Sequence, residues 1–457
     1  MNTDESRLDD NHSNSRPTNV RWTVFGLCCG TSWMLYLHRY TFALIKPKLS
    51  EEWGLSNQAL GWMDAGFNYG YMAFQVPSGL FVDAMGAHLF LGGIIILWSL
   101  GLGLHAWAPN VKSLVMARAM FGIGQAGAFA TLSRITRNWY PSSIRTSVQG
   151  WVSVFSGRMG AACANLLFGA LLVGFFFPDD WRTALYVLVF AGVAFGVVFL
   201  WLFRDTPRKH PWTNQAEVDL IEEVEPSGGS EDNRAKPRDR MTFREMFRRM
   251  SWRSVLNLFA LNLQSILSSM ADSIYSLWIP LFMSQVHNLK FAEMGVLSSL
   301  PLLGGACGGA MGGFLNDRMI RKTGNRRWSR TLVALTGKAA AGILILAALL
   351  AFDRPYVFCG FLFFVKFFGD WSLSTSWGTI TDIGGKATAT VFAFNNCIAG
   401  LFVGLISPVY GWISDNHGWM PVFVIVGIVY LLCAASWLLV DCTIPLFGNA
   451  DDDDDAG

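Results

Sequence analysis

The sequence predicts an all-α integral membrane protein with twelve transmembrane helices in two pseudo-symmetric six-helix halves. Three observations carry that reading. Hydrophobic residues make up 52% of the 457 and charged residues only 15%, against about a quarter charged in a soluble domain. The apolar residues gather into blocks such as Leu89 to Trp107 and Tyr186 to Phe203, each close to the roughly 20 residues that cross a bilayer core. A single long polar stretch, Arg204 to Trp252, divides these blocks six and six.

Taken in order, with their polar and Gly/Pro punctuation, the spans fall near 22–46, 60–82, 89–107, 113–136, 146–176, 183–203, 254–284, 291–315, 331–352, 356–381, 388–413 and 420–440. Residues 1–20 are polar and lack the short apolar run that precedes a signal cleavage site, so they read as a retained, disordered cytoplasmic tail. Two bundles follow, 21–203 and 252–443. Between them 204–251 reads as a cytoplasmic linker, solvated around Ser227-Gly228-Gly229-Ser230, with Thr242 to Arg253 a short basic amphipathic helix at the membrane surface. The acidic block Asp451 to Asp455 marks 444–457 as a disordered cytoplasmic tail. An internal repeat supports the halves. Gly79-Leu-Phe-Val-Asp83-Ala-Met-Gly86 follows the second span and Gly313-Phe-Leu-Asn-Asp317-Arg318 follows the eighth, about half the chain apart.

Cytoplasmic loops carry the Lys/Arg excess in membrane proteins. Here the even-numbered loops hold it, with Arg137 and Arg145, then Arg208, Lys209, Arg244, Arg248 and Arg249, then Arg318, Arg321, Lys322, Arg326 and Arg327, while Lys46, Lys48, Lys112, Lys290 and Arg354 are scattered over the odd ones. Both termini are therefore expected on the cytoplasmic side of a bacterial inner membrane. A net charge of +2 is too small for a nucleic-acid binder. Cys28, Cys29, Cys163, Cys307, Cys359, Cys397 and Cys433 sit inside apolar blocks without ligand spacing and read as small core hydrophobes, so neither a metal site nor a cofactor is expected. No catalytic motif in a loop setting suggests an enzyme.

Charges within spans are costly and mark partners or wet cavities. Arg39, Arg118, Arg158 and Lys366 outnumber Asp272 and Asp370, which favours an anionic solute; Asp64 and Lys338 lie nearer span ends and cancel in sign. Arg39 is the expected anchor, because a guanidinium offers a rigid bidentate fork to a carboxylate and stays charged. A structural ion pair is the alternative for Arg39 and more so for Arg118. Arg158 can face the solute or pair with Asp272. Asn68, Tyr71 and Gln75 share one helix face and form a polar wall or bind helices together. Tyr275 and Trp278 on the seventh span, and Asn395 or Asn396 on the eleventh, are candidates for the hydroxyl end of a solute.

Two six-span halves with Gly-x-x-x-Asp in matching inner loops resemble the major facilitator superfamily of secondary transporters over nearly the whole chain. In that family the motif latches helices on the cytoplasmic side. Its first copy here keeps only Asp83 and Gly86; the second, with Asp317, Arg318, Gly324, Arg326 and Arg327, is fuller and is the expected gate. Leu37-His38-Arg39-Tyr40, Tyr71 to Gly79, Glu293 to Pro301 and Asp382 to Asn396 are similar to the anion:cation symporter branch, which includes sugar-acid carriers. The resemblance implies that Arg39 binds the substrate carboxylate, Tyr71 contacts the substrate, and Asn396 is the eleventh-helix contact. Proton-coupled relatives carry acids where this chain has His38 and Gln125, so the fourth-helix proton site is absent. Setting Gly124-Gln125 on Gly369-Asp370 makes Asp370 the second-half counterpart of Gln125. Asp370, Asp272 or His38 is then the expected coupling group, with Lys366 four residues before Asp370 as its partner. The expected function is alternating-access transport of a small organic anion, a sugar acid or related acid, by a monomer coupled to H+ ahead of Na+. A membrane sensor on a transporter fold and a drug or cation efflux carrier are the alternatives.

Overall fold

The structure, a computed structural model, describes residues 16–155, 157–222, 250–385 and 388–446. Most of the N-terminal tail, Ser227 to Ser230, nearly all of the basic surface helix and Asp451 to Asp455 lie outside the described residues. Every regular element described is helical, and twelve spans can be followed. The first is α1, Val20–Trp53. A continuous run Asn57–Trp107 turns at Gly86 (φ 79°, ψ 164°) into α2 (57–85) and α3 (87–107). Two pieces, Val111–Gln125 and Ala128–Trp139, make α4. Ser142–Phe155, Gly157–Ala164 and a π-helical stretch Asn165–Phe176 make α5, and Trp181–Leu202 is α6. In the second half α7 is Trp252–Leu277 with its continuation Ile279–His287, α8 is Phe291–Thr323, and α9 is Arg326–Ala348. Pro355–Gly369 and Trp371–Gly384 form α10, Thr388–His417 is α11, and Trp419–Ser436 is α12.

Nine helices among the described residues are long and apolar enough to cross a membrane. The three spans outside that set are α1, α2 and α4, which carry Arg39 and Lys46, Asp64, Asn68 and Gln75, and Arg118 and Gln125. The two pieces of α4 are each too short to qualify, at 15 and 12 residues, and the polar groups on α1 and α2 lower their hydropathy. The helices begin on local caps where loops allow. Asn110 and Ser113 form a reciprocal capping box on α4, and Asn325 accepts from the Trp328 amide at the start of α9.

Contacts group the chain into two compact units, and several helices contribute to both. The first holds 16–38, Gly70–Gly160 and 185–222. Within it Gln125 donates from Nε2 to the Leu35 carbonyl (3.0 Å), tying α4 to α1. The start of the linker folds back as a short helix, Gln215–Glu222, whose fully buried Glu217 accepts from the backbone amides of Val20 (3.3 Å) and Arg21 (3.0 Å) and from the Thr18 hydroxyl. A carboxylate remote in sequence thus caps the positive end of α1. This part of the linker is docked and not solvated as expected.

The second unit holds Arg39–Tyr69, Ala161–Ala184 and 250–446. Here parts of the first-half helices pack on the second half. Asp415 at the end of α11 accepts from the amides of Asn57 and Gln58 (both 2.9 Å), capping α2 across the repeat. Asn57 and Gln285 exchange amide hydrogen bonds at 3.1 and 2.9 Å. The π-helical part of α5 wraps so closely on α8 that a Cβ at Gly295 would stand 2.5 Å from the Asn165 carbonyl oxygen. Of the cysteines, Cys28, Cys29, Cys359, Cys433 and Cys442 are buried as small hydrophobes, whereas Cys307 is exposed, contrary to expectation. Gly295→Val should force α5 and α8 apart and destabilise the protein by about 1–3 kcal/mol, measured as a fall in the unfolding midpoint of the detergent-solubilised chain.

Candidate functional site

Arg39 lies two turns before Lys46 on α1 and is half-buried, its guanidinium 5.1 Å from the centre of the Phe67 ring on α2. That contact supports a cation without removing its charge. Asn68, Tyr71 and Gln75 are all half-buried on α2. Asn68 donates from Nδ2 to the Asp64 carbonyl one turn back (2.9 Å). On α11, Asn396 is exposed, while Asn395 is buried and bonded to the Asn262 side chain (3.3 Å). Arg158 is half-buried near the break in α5.

Other expected contacts are differently employed. Tyr275 is 1% exposed, with the Lys366 ammonium 5.3 Å from its ring centre. Trp278 is fully buried, with the Lys46 ammonium 4.0 Å above its ring and Trp419 edge-on at 5.8 Å. Their aromatic faces support lysines and are covered, which corrects their assignment to a solute. His38 is likewise fully buried, with Nε2 3.1 Å from the Leu188 carbonyl on α6. Arg118 and Gln125 are buried.

The lysines and aspartates within the spans form two nodes. In the first, Lys46 on α1 and Asp64 on α2 are both fully buried and 2.5 Å apart. Lys46 also donates to the Leu277 carbonyl of α7 (2.8 Å), and Ser407 of α11 donates to Asp64 Oδ2 (3.1 Å). Four helices meet there. The sequence reading missed Lys46 because Pro47 stops a span by rule, whereas α1 continues through it to Trp53. The signal was its spacing of seven from Arg39, which keeps both on one face.

The second node gathers the expected coupling residues. Lys366 Nζ stands 2.6 Å from Asp272 Oδ1 and 2.7 Å from Asp370 Oδ1. Tyr430 donates to Asp272 Oδ1 (2.7 Å), and Lys338 lies 4.0 Å from Asp272 Oδ2 while donating to the Ser268 hydroxyl (2.8 Å). Asp272 finds lysines on two other helices, Lys338 of α9 and Lys366 of α10. Asp64 and Lys338, which cancel in sign in the sequence, belong to different nodes.

The repeated motif also departs from expectation. Asp83 pairs with Arg134 of α4 at 2.8 Å, and Arg134 also donates to the Val82 carbonyl (2.8 Å). Gly86 adopts its positive φ beside Asp205, whose carboxylate would lie 2.9 Å from a Cβ there and accepts from the His88 amide (3.0 Å). In the second copy α8 runs on through Asp317 and Arg318 to Thr323 and turns only at Gly324 (φ 66°). Asp317 makes no ion pair among the described residues. In the first copy the motif aspartate is ion-paired, whereas in the second the ion pair is made by Arg327, with Asp441 (3.0 Å).

A family model for the Major Facilitator Superfamily matches residues 28–408. The chain belongs to that superfamily. It is a multi-pass membrane transporter and not an enzyme. Among curated relatives, a probable sulfoacetate transporter of Cupriavidus necator is 27% identical over 87% of this chain and 88% of its own length. A D-galactonate transporter of Escherichia coli is 23% identical over 93% and 96%. A bacterial homologue of the human lysosomal transporter Spinster, solved inward-facing and unoccupied, superposes with a TM-score of 0.75 at 16% identity, covering 92% of this chain and 97% of that one. The last likeness is one of fold. Lys46→Met alone should cost about 3–5 kcal/mol by stranding the Asp64 carboxylate, and adding Asp64→Leu should recover most of it; unfolding midpoints of the single and double variants check this.

Proposed function

We propose that this chain is a secondary transporter that moves a small organic anion across the membrane by alternating access. The observation that carries the reading is Arg39, a permanently charged, half-buried guanidinium within α1 backed by the Phe67 ring. Its fork matches a carboxylate with two parallel hydrogen bonds. Half-buried Asn68 on α2 and exposed Asn396 on α11, in the same compact unit as Arg39, supply amide groups for a polyhydroxylated or acidic skeleton. The relatives named above are a probable sulfoacetate transporter and a D-galactonate transporter, and both of those solutes are carboxylates with a second polar end, which supports a sugar acid or related organic acid as the solute class.

In an alternating-access cycle the Lys46–Asp64 node and the Asp415 cap on α2 are contacts between the two sequence halves that must part when the α1–α2 loop end opens. The Asp83–Arg134 pair serves the other end within the first half. The orientation that goes with this reading keeps both termini cytoplasmic in a bacterial inner membrane, on the Lys/Arg excess of the even loops. Symport with H+ or Na+, the finer expectation, needs a carboxylate that takes up the cation. His38 is engaged with a carbonyl of α6, so the route would run through Asp272 and Asp370.

Proteoliposomes containing the purified chain should accumulate D-galactonate, sulfoacetate or a related acid. Arg39→Lys and Arg39→Ala should lower initial uptake by about tenfold or more through loss of the bidentate fork, with an unchanged unfolding midpoint. Binding of the acids with no uptake would turn the reading to a sensor, and full uptake by Arg39→Ala would remove Arg39 as the anchor.

A further inference from the structure

The second lysine–aspartate node has the form of a cation site that is already filled. Two carboxylates from different helices, Asp272 of α7 and Asp370 of α10, converge on one point at 2.6 and 2.7 Å, and that point is the Lys366 ammonium. Lys366 is fully buried and the face of Tyr275 closes one side of it at 5.3 Å. Asp272 keeps 17% of its side chain exposed, so the site borders accessible space. The same two carboxylates without the lysine are what a coupled carrier would present to a proton or Na+, because uncompensated negative charge at membrane depth must acquire a cation.

We propose that Lys366 is a resident counter-cation, tethered where a coupling cation would bind, so that the chain carries its anion without co-transporting H+ or Na+ through this node. The inference rests on the organic-anion reading for the solute but not for the site. A tethered ammonium gives the carboxylates their positive partner in every conformation and cannot leave with the solute. Lys366 and Lys338 stand against Asp272 and Asp370. The titratable groups facing the node are Lys338 on α9, Tyr275 on α7, Tyr410 on α11, and Tyr430 and Cys433 on α12. Tyr430 donates to Asp272, Tyr410 donates to the Met270 carbonyl (3.3 Å), and Cys433 Sγ lies 3.4 Å from the Gln264 carbonyl. The repeat adds an independent argument. The first-half counterpart of Asp370 is Gln125, which cannot titrate and is bonded to the Leu35 carbonyl. One half thus lacks the acid, and the other supplies the acid with its own cation.

The test uses the full chain in two measurements. Unfolding midpoints of the wild type and of Lys366→Gln are compared in NaCl and in choline chloride at equal ionic strength, from mildly acidic to mildly alkaline pH. The wild type should be indifferent to the cation. Lys366→Gln should be destabilised in choline at alkaline pH and recover by about 3 °C or more with Na+ or on acidification, since a cation that binds only the folded state stabilises it. In proteoliposomes, wild-type uptake of D-galactonate or sulfoacetate at clamped potential should change less than about twofold when an inward Na+ or proton gradient is imposed, and should follow an imposed inside-positive potential. A several-fold stimulation of wild-type uptake by either gradient at clamped potential overturns the proposal, as does a Lys366→Gln midpoint indifferent to both Na+ and pH. If Lys366→Gln does not fold, Lys366→Gln with Asp370→Asn, which keeps the node's charge balance, replaces it and should show no cation dependence, while the wild-type fluxes still decide. Absence of uptake of every acid tested counts against the transport reading, whereas the midpoint comparison needs no solute and reads the node alone.

Discussion

Placing charge at membrane depth is the constraint around which this structure is arranged. An isolated ammonium or carboxylate there costs several kcal/mol or more, and the chain meets that cost with lysine–aspartate pairs whose members come from different helices. Lys46 and Asp64 join α1 to α2, and through the Leu277 carbonyl and Ser407 they reach α7 and α11. Lys366, Asp272, Lys338 and Tyr430 join α10, α7, α9 and α12. Each node fixes helix registers, because a shift along any axis strands a buried charge. The seventh helix belongs to both, contributing Asp272 and Tyr275 to one and Leu277 and Trp278 to the other, little more than a turn apart. A displacement of that segment is therefore felt at both nodes.

The division of labour between lysine and arginine follows from their chemistry. Lysine presents a compact point charge that sits between oxygens, and both nodes use it so, each backed by an aromatic face. Arg39 instead presents a planar fork in a half-buried position, a geometry suited to receiving a carboxylate from outside the fold. The polar residues of α2 and α11 divide in the same way. Asn395 and Asn57 are spent on helix-to-helix bonds, whereas Asn396 is exposed.

How much of this could be read from the sequence differs between elements. The twelve spans were legible because hydropathy blocks depend only on local composition. The structure supplies the reason for Gly86: glycine alone accepts that φ without strain, and Asp205 leaves no room for a Cβ. In the second copy of the motif, completeness of the pattern says nothing about where α8 stops. Gly324, the residue able to take the left-handed conformation, carries the turn, and Asp317 remains inside the helix. Pro47 misled in the same manner: as a rule for ending helices it hid Lys46.

Sequence by itself determined the membrane class, the halves, the presence of in-span charges and the residue type suited to a carboxylate, because all of these follow from composition and from periodicity along one helix. Only the tertiary structure decided which charges neutralise one another. Lys46 with Asp64, Lys366 with Asp272 and Glu217 with the start of α1 are separated by 18, 94 and about 196 residues. Electrostatic pairing depends on distance in space, and hydropathy and spacing carry no information about which helices will be neighbours or which faces they will turn to each other.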